Sequence, residues 1–168
     1  MKKFILIAFL TPIFSFSQEH QNFKNENNIL TWEKVYESDL NSTEILEILE
    51  KDAVLNSLSE GFTGQSTPEK IKCEARQAIF MDGRFQYYAS IEFKEGRYRV
   101  QVSNIEMIPS ITITLYGVRS SEGPDAYSGY ILKNNGDWRT NTLAQNSKAC
   151  LNQYFSNKFE FTSTEKDW

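Results

Sequence analysis

Histidine occurs once in this chain, as His20, and cysteine twice, as Cys73 and Cys150. Those counts exclude nearly every histidine-based triad and every zinc site built from several Cys and His ligands. No GxSxG, HExxH or GxGxxG pattern is present. Gly61 and Gly64, followed by Ser66 and Thr67, lack the lysine that a phosphate loop places before its Ser/Thr. No run of five or more Lys or Arg occurs, and the net charge is −4, so the field of the molecule repels phosphate backbones and argues against nucleic acid. Long apolar runs are also missing: the longest, within residues 4–14, is about half of what crosses a bilayer. No cofactor and no metal is implied.

Large aromatic side chains are abundant, with twelve Phe, eight Tyr and three Trp in 168 residues. That payload supports one hydrophobic core of ordinary size. Residues 1–17 set Lys2 and Lys3 before the apolar run and end in small residues at Ser15 and Ser17, the pattern of a cleaved secretory signal peptide. The mature chain then starts at Gln18, is periplasmic or extracellular, and has no expected membrane insertion. Loss of Lys2 and Lys3 takes the charge from −4 to −6. In an oxidising compartment Cys73 and Cys150 have one possible intrachain pairing; two buried free thiols are the alternative.

Residues 18–28 are polar and aperiodic and read as a flexible lead-in to a single domain at 29–160, with a tail at 161–168. Residues 30–37 read as a strand. Asn41 and Glu44 fit a capping box that starts a helix near Ser42, with Ile45, Leu46, Ile48, Leu49 and Ala53 on its apolar arc. A turn-rich stretch follows at 61–68. Period-two alternation from Lys70 predicts a strand carrying Ile71, Cys73 and Ala75, then a three-residue loop at 82–84 with Gly83 or a neighbour at positive φ. That loop sets Ile79 opposite Tyr87 and Cys73 opposite Phe93. A two-residue type I′ turn at Glu95-Gly96 sets Phe93 opposite Tyr98, Ile91 opposite Val100 and Ala89 opposite Val102, with Glu92 opposite Arg99 and Tyr88 opposite Ser103 on the other face. Residues 111–116 form one more strand, 117–139 a long loop or a loop with one short strand around Tyr127, Tyr130 and Ile131, and the segment after Thr140 a helix ending near Asn157. Leu143, Cys150, Leu151, Tyr154 and Phe155 form its apolar face.

The order strand, helix, four strands, helix is an α+β arrangement: an antiparallel sheet of about five strands with two helices on one face. Trp32-Glu33-Lys34-Val35 with the helix start at 41–49, and the stretch from Glu92 through Gly96-Arg97-Tyr98-Arg99 to Ile105, resemble the exported bacterial domain-of-unknown-function 4468 family. The resemblance implies a fold like half of the saddle in TATA-binding proteins, and export; it implies no activity.

Three functions follow from these residues. The first is a binding module for an envelope protein partner, using the uncovered sheet face; alternation assigns Lys72, Arg76, Tyr88, Arg97, Arg99 and Gln101 to it, and Arg and Tyr favour protein interfaces. An ordinary solvated face is the plain alternative. The second is a structural envelope-assembly role in which Tyr127, Tyr130 and Trp138 of the long loop anchor a partner, or instead pack down as a lid. The third is a carboxylate-dependent hydrolase, for which Asp52 on the apolar helix arc is the candidate acid. More is against an enzyme than for one.

Overall fold

The computed structural model describes residues 22–27, 29–51, 54–59, 62–74, 79–108 and 123–161. Residues 1–17, expected to be a signal peptide, together with His20, Asp52, Ala53, Arg76 and the expected strand at 111–116, lie outside these.

The chain is α+β, built on an antiparallel sheet. In order come β1 (Phe23–Glu26), β2 (Ile29–Glu37), α1 (Ser42–Lys51), β3 (Asn56–Ser59), β4 (Thr63–Gln65), β5 (Glu69–Lys70), a short 3₁₀ turn (Ile79–Asp82), β6 (Arg84–Lys94), β7 (Arg97–Ile108), β8 (Asp125–Ala126), α2 (Ser128–Ile131) and α3 (Thr142–Lys158). The spatial order is β1-β2-β7-β6-β4-β3, with β5 added to β6 and β8 to β7. Among the described residues this makes eight strands where about five are expected, because several short edge pieces join the sheet.

The β6–β7 hairpin has the expected register at every pair named above, and its inward residues Ala89, Ile91, Tyr98, Val100 and Val102 are buried. Its turn differs: Gly96 is at φ 71° but Glu95 is not at positive φ, so it is not type I′. Further along, Gln86 pairs Glu106 while Tyr88 pairs Ser103, so β7 carries one extra residue, a bulge with Asn104 at φ 47°. The bulge restores Ile105 and Met107 to the buried face.

Three expectations yield to tertiary pairing. Phe23–Glu26, inside the expected lead-in, is a strand against β2, because Phe23 reaches the core opposite Trp32. The strand expected from Lys70 stops at Lys70: β4 holds the ladder beside Thr63↔Ser90, Gly64↔Ala89 and Gln65↔Tyr88, where that strand was to lie, and Cys73 turns away to α3. The pairs Ile79–Tyr87 and Cys73–Phe93 therefore do not form. Nor is Gly83 at positive φ; it immediately precedes β6.

Helix α1 starts on its box, with the Thr43 and Glu44 amides donating to Asn41 Oδ1 and the Asn41 amide donating to Glu44 Oε2 at 2.8 Å. It buries Ile45 and Leu49. Asn41's counterpart in α3 is Asn141, whose side chain accepts from the Ala144 amide at 2.9 Å. Leu151 and Phe155 of α3 are buried, but Leu143 is 41% exposed and belongs to no core face. Phe155 packs on Trp32 and Tyr87 at 5.4 and 5.0 Å between ring centroids. Polar tips lock the layers: Trp32 Nε1 donates to Asn152 Oδ1, and the Tyr98 hydroxyl donates to the Phe159 carbonyl at 2.7 Å and accepts from the Phe161 amide. Phe161, at the start of the expected tail, is thereby buried.

Candidate functional site

Alternation along β2, β7 and β6 sends every second side chain away from α3, and these make the open face of the sheet. Rows across it are set by register: Glu37, Arg97, Lys94; then Val35, Arg99, Glu92; then Glu33, Gln101, Ser90. Tyr88 stands on the next row at 42% exposure and Val35 is 49% exposed. Arg99 donates to Glu92 Oε2 at 2.5 Å, and Lys24 pairs Glu33 at 2.8 Å. The Arg99 guanidinium is held above its ordinary value by that hydrogen bond first, then by the charges of Glu92 and Glu33. Arg97 and Lys94 form no ion pair with a described residue. Beside Val35 these two cations and the Arg99–Glu92 pair line a shallow hollow of about 230 Å³.

Of the residues expected on this face, Tyr88, Arg97, Arg99 and Gln101 are brought together there. Lys72 is not, because the chain has left the sheet by then; it lines a second, larger depression beside α3. Trp138 lies on neither: its half-buried ring sits under the Lys148 ammonium, 4.8 Å from its centroid. The other aromatics of the long loop also turn inward. Tyr127 is fully buried with its hydroxyl at 3.1 Å from Ser147 Oγ, and Tyr130 donates to Asp125 Oδ2 at 3.0 Å. Tyr127 directly follows the short strand β8, and Tyr130 and Ile131 belong to α2, so residues 123–139 pack down as a lid whose one short strand lies just before Tyr127 and not at Tyr130 and Ile131.

The larger depression, about 640 Å³, lies between α3 and residues 69–74. Cys73 and Cys150 form a disulfide in its wall, with Cα atoms 5.6 Å apart. At its end the Lys158 ammonium sits 2.5 Å from Glu69 Oε1 and donates to the Tyr154 hydroxyl at 2.8 Å, while the Tyr87 hydroxyl reaches Glu69 at 3.4 Å. Burial, more than the neighbouring Glu69, pushes both phenols well above their ordinary value. Glu69 and Lys158 are 89 residues apart and no local sequence pattern joins them. The cysteine pair was the one signal pointing there. Among the described residues no group of three or more His, Cys, Asp or Glu is placed to hold a metal, and no helix is long and apolar enough to cross a membrane.

The chain is similar in structure to a TBP-like protein from Parabacteroides distasonis. The likeness has a TM-score of 0.48 at 18% identity and covers 81% of this chain and 91% of that one. A DUF4468 family protein from Bacteroides ovatus is similar at a TM-score of 0.43 and 11% identity, over 86% of this chain and 94% of its own. Both carry the names that the sequence resemblance carries. No family model matches the chain. No curated protein matches it either.

Proposed function

We propose that this chain is an exported, non-catalytic binding module that docks an envelope protein on the open face of its sheet. The observation that carries the reading is the hollow at Val35, where an exposed apolar side chain lies between Lys94 and Arg97, two cations without an ion-pair partner among the described residues. An apolar contact ringed by cations suits a partner segment that pairs an apolar side chain with carboxylates, and Arg and Tyr supply the planar and amphipathic contacts that such interfaces favour. Export rests on residues 1–17 and fits the disulfide.

The test is crosslinking in native envelope, comparing the wild type with an Arg97→Glu, Arg99→Glu double variant and with a Gln153→Ala variant on the opposite side of the molecule. The captured protein is expected to begin at Gln18. Both reversed residues are exposed on a paired strand, so circular dichroism should match the wild type. The expected result is a specific partner captured by the wild type and by Gln153→Ala but lost from the double variant. An unchanged partner list in a folded double variant overturns the reading.

A further inference from the structure

The depression beside α3 is a second feature, independent of the open face, and its chemistry points to a different kind of ligand. Its volume of about 640 Å³ falls within the range of small-molecule sites. Its described charged residues are Glu69, Glu74, Lys72 and Lys158, two of each sign, so the wall offers no net reward to a charged ligand.

Hydrogen-bonding capacity is not exhausted there. The Lys158 ammonium has three donors and spends two, on Glu69 and on the Tyr154 hydroxyl. A carboxylate such as that of Glu69 has about four acceptor positions. A spare donor and a spare acceptor thus sit within one ion pair, which suits a group that accepts and donates at once. A hydroxyl does so; an ammonium or a carboxylate does only one. Gln153 and Asn157 extend the pattern, since they stand four residues apart on the same side of α3 and each amide both donates and accepts. Between these polar groups, the ring of Tyr154, Ala149, Val54 and the disulfide supply apolar surface for the C–H faces of a ring.

We propose that this cleft binds a neutral polyhydroxylated ligand, a saccharide of one or two rings, with vicinal hydroxyls on the Glu69–Lys158 pair and on the Gln153 and Asn157 amides. Recognition of this kind is weak, so millimolar affinity is expected.

The experiment is saturation-transfer-difference NMR on the purified chain with its disulfide intact, using cellobiose, maltose and N,N′-diacetylchitobiose as probes and glucuronate as the charged control. Transfer to the ring protons of at least one neutral probe is expected. A Gln153→Ala, Asn157→Ala variant should weaken it by about tenfold. Both side chains are exposed and the helix favours Ala, so that variant keeps its fold. An Arg97→Glu variant, on the far face, should bind as the wild type does. Absence of transfer from all three neutral probes overturns the proposal, as does an affinity undiminished in the double variant or glucuronate binding as tightly as the neutral sugars.

Discussion

A single added methyl group at Gly83 would have nowhere to go. A Cβ built there meets the Ile108 carbonyl oxygen at 2.6 Å and Met107 Sδ at 2.8 Å. The sulfur belongs to a flexible side chain and can swing away, but the carbonyl is backbone and cannot do so cheaply. Gly83→Ala is expected to cost about 1–3 kcal/mol by overpacking, read as a lower midpoint in urea with an unchanged slope. A midpoint equal to the wild type's would show that β7 gives way freely at Ile108. In the sequence, Asp82-Gly83 carries a turn signal, and the usual reason for glycine in a turn is positive φ. Here the reason is a close approach to a strand more than twenty residues away, which no local pattern encodes. Asn104 shows the converse: its φ of 47° is a local property, tolerated by Asn better than by most residues, yet nothing in the run Val102-Ser103-Asn104-Ile105 announces the bulge.

Elements were legible in proportion to how many constraints bore on them at once. The β6–β7 register satisfies both sheet faces together, apolar pairs on one side and Glu92–Arg99 on the other, and a slip of one residue breaks both. Helix α1 announced itself through Asn41 and Glu44 as well as through its periodicity. By contrast β4 is Thr-Gly-Gln, with no apolar period, and reads as a turn; it becomes a strand only because Gly64 lies flat against Ala89. Its presence displaces the better-patterned residues 71–74 from the sheet, and they are pinned to α3 by the disulfide. The bridge closes a loop with a sequence separation of 77, for which chain-entropy estimates give about 4 kcal/mol. A Cys73→Ser, Cys150→Ser variant is therefore expected to lose about that much stability. Amide exchange should rise most at 69–74, where the backbone has only two ladder residues, Glu69 and Lys70, to hold it. Uniform loss of protection across the sheet would instead place the effect of the bridge on the whole fold. The candidate sites divide in the same way: the open face could be read from alternation, whereas the cleft depends on this long-range bridge.

At the scale of the whole molecule, the tyrosines make the fold sensitive to alkali. Six of them, Tyr36, Tyr87, Tyr98, Tyr127, Tyr130 and Tyr154, titrate above the ordinary value of 10.0 in the folded chain, in each case chiefly because burial penalises the phenolate. Tyr98 is pushed up to about 12 despite the Phe161 amide that would favour its anion, and Tyr130 to about 12 with help from Asp125. The unfolded chain gives up these protons near 10.0, so above that pH it binds fewer protons than the folded state, and stability falls as pH rises. Below pH 10.0 the contribution is complete; through about 12 it is lost from Tyr98 and Tyr130, while the other four continue to favour the protonated fold. Lys148 opposes this. Burial lowers its pKa, so the fold gains as the unfolded lysine is made to lose its proton, but it is one group against six tyrosines. The melting temperature is therefore expected to decline steadily from pH 10 to pH 12, with tyrosinate absorbance from these residues rising together with loss of near-ultraviolet dichroism. A flat melting temperature over that window, or tyrosinate signal from all six while the dichroism stays native, would mean that the phenols anchoring α3 and the lid to the sheet are reached by water in the folded protein.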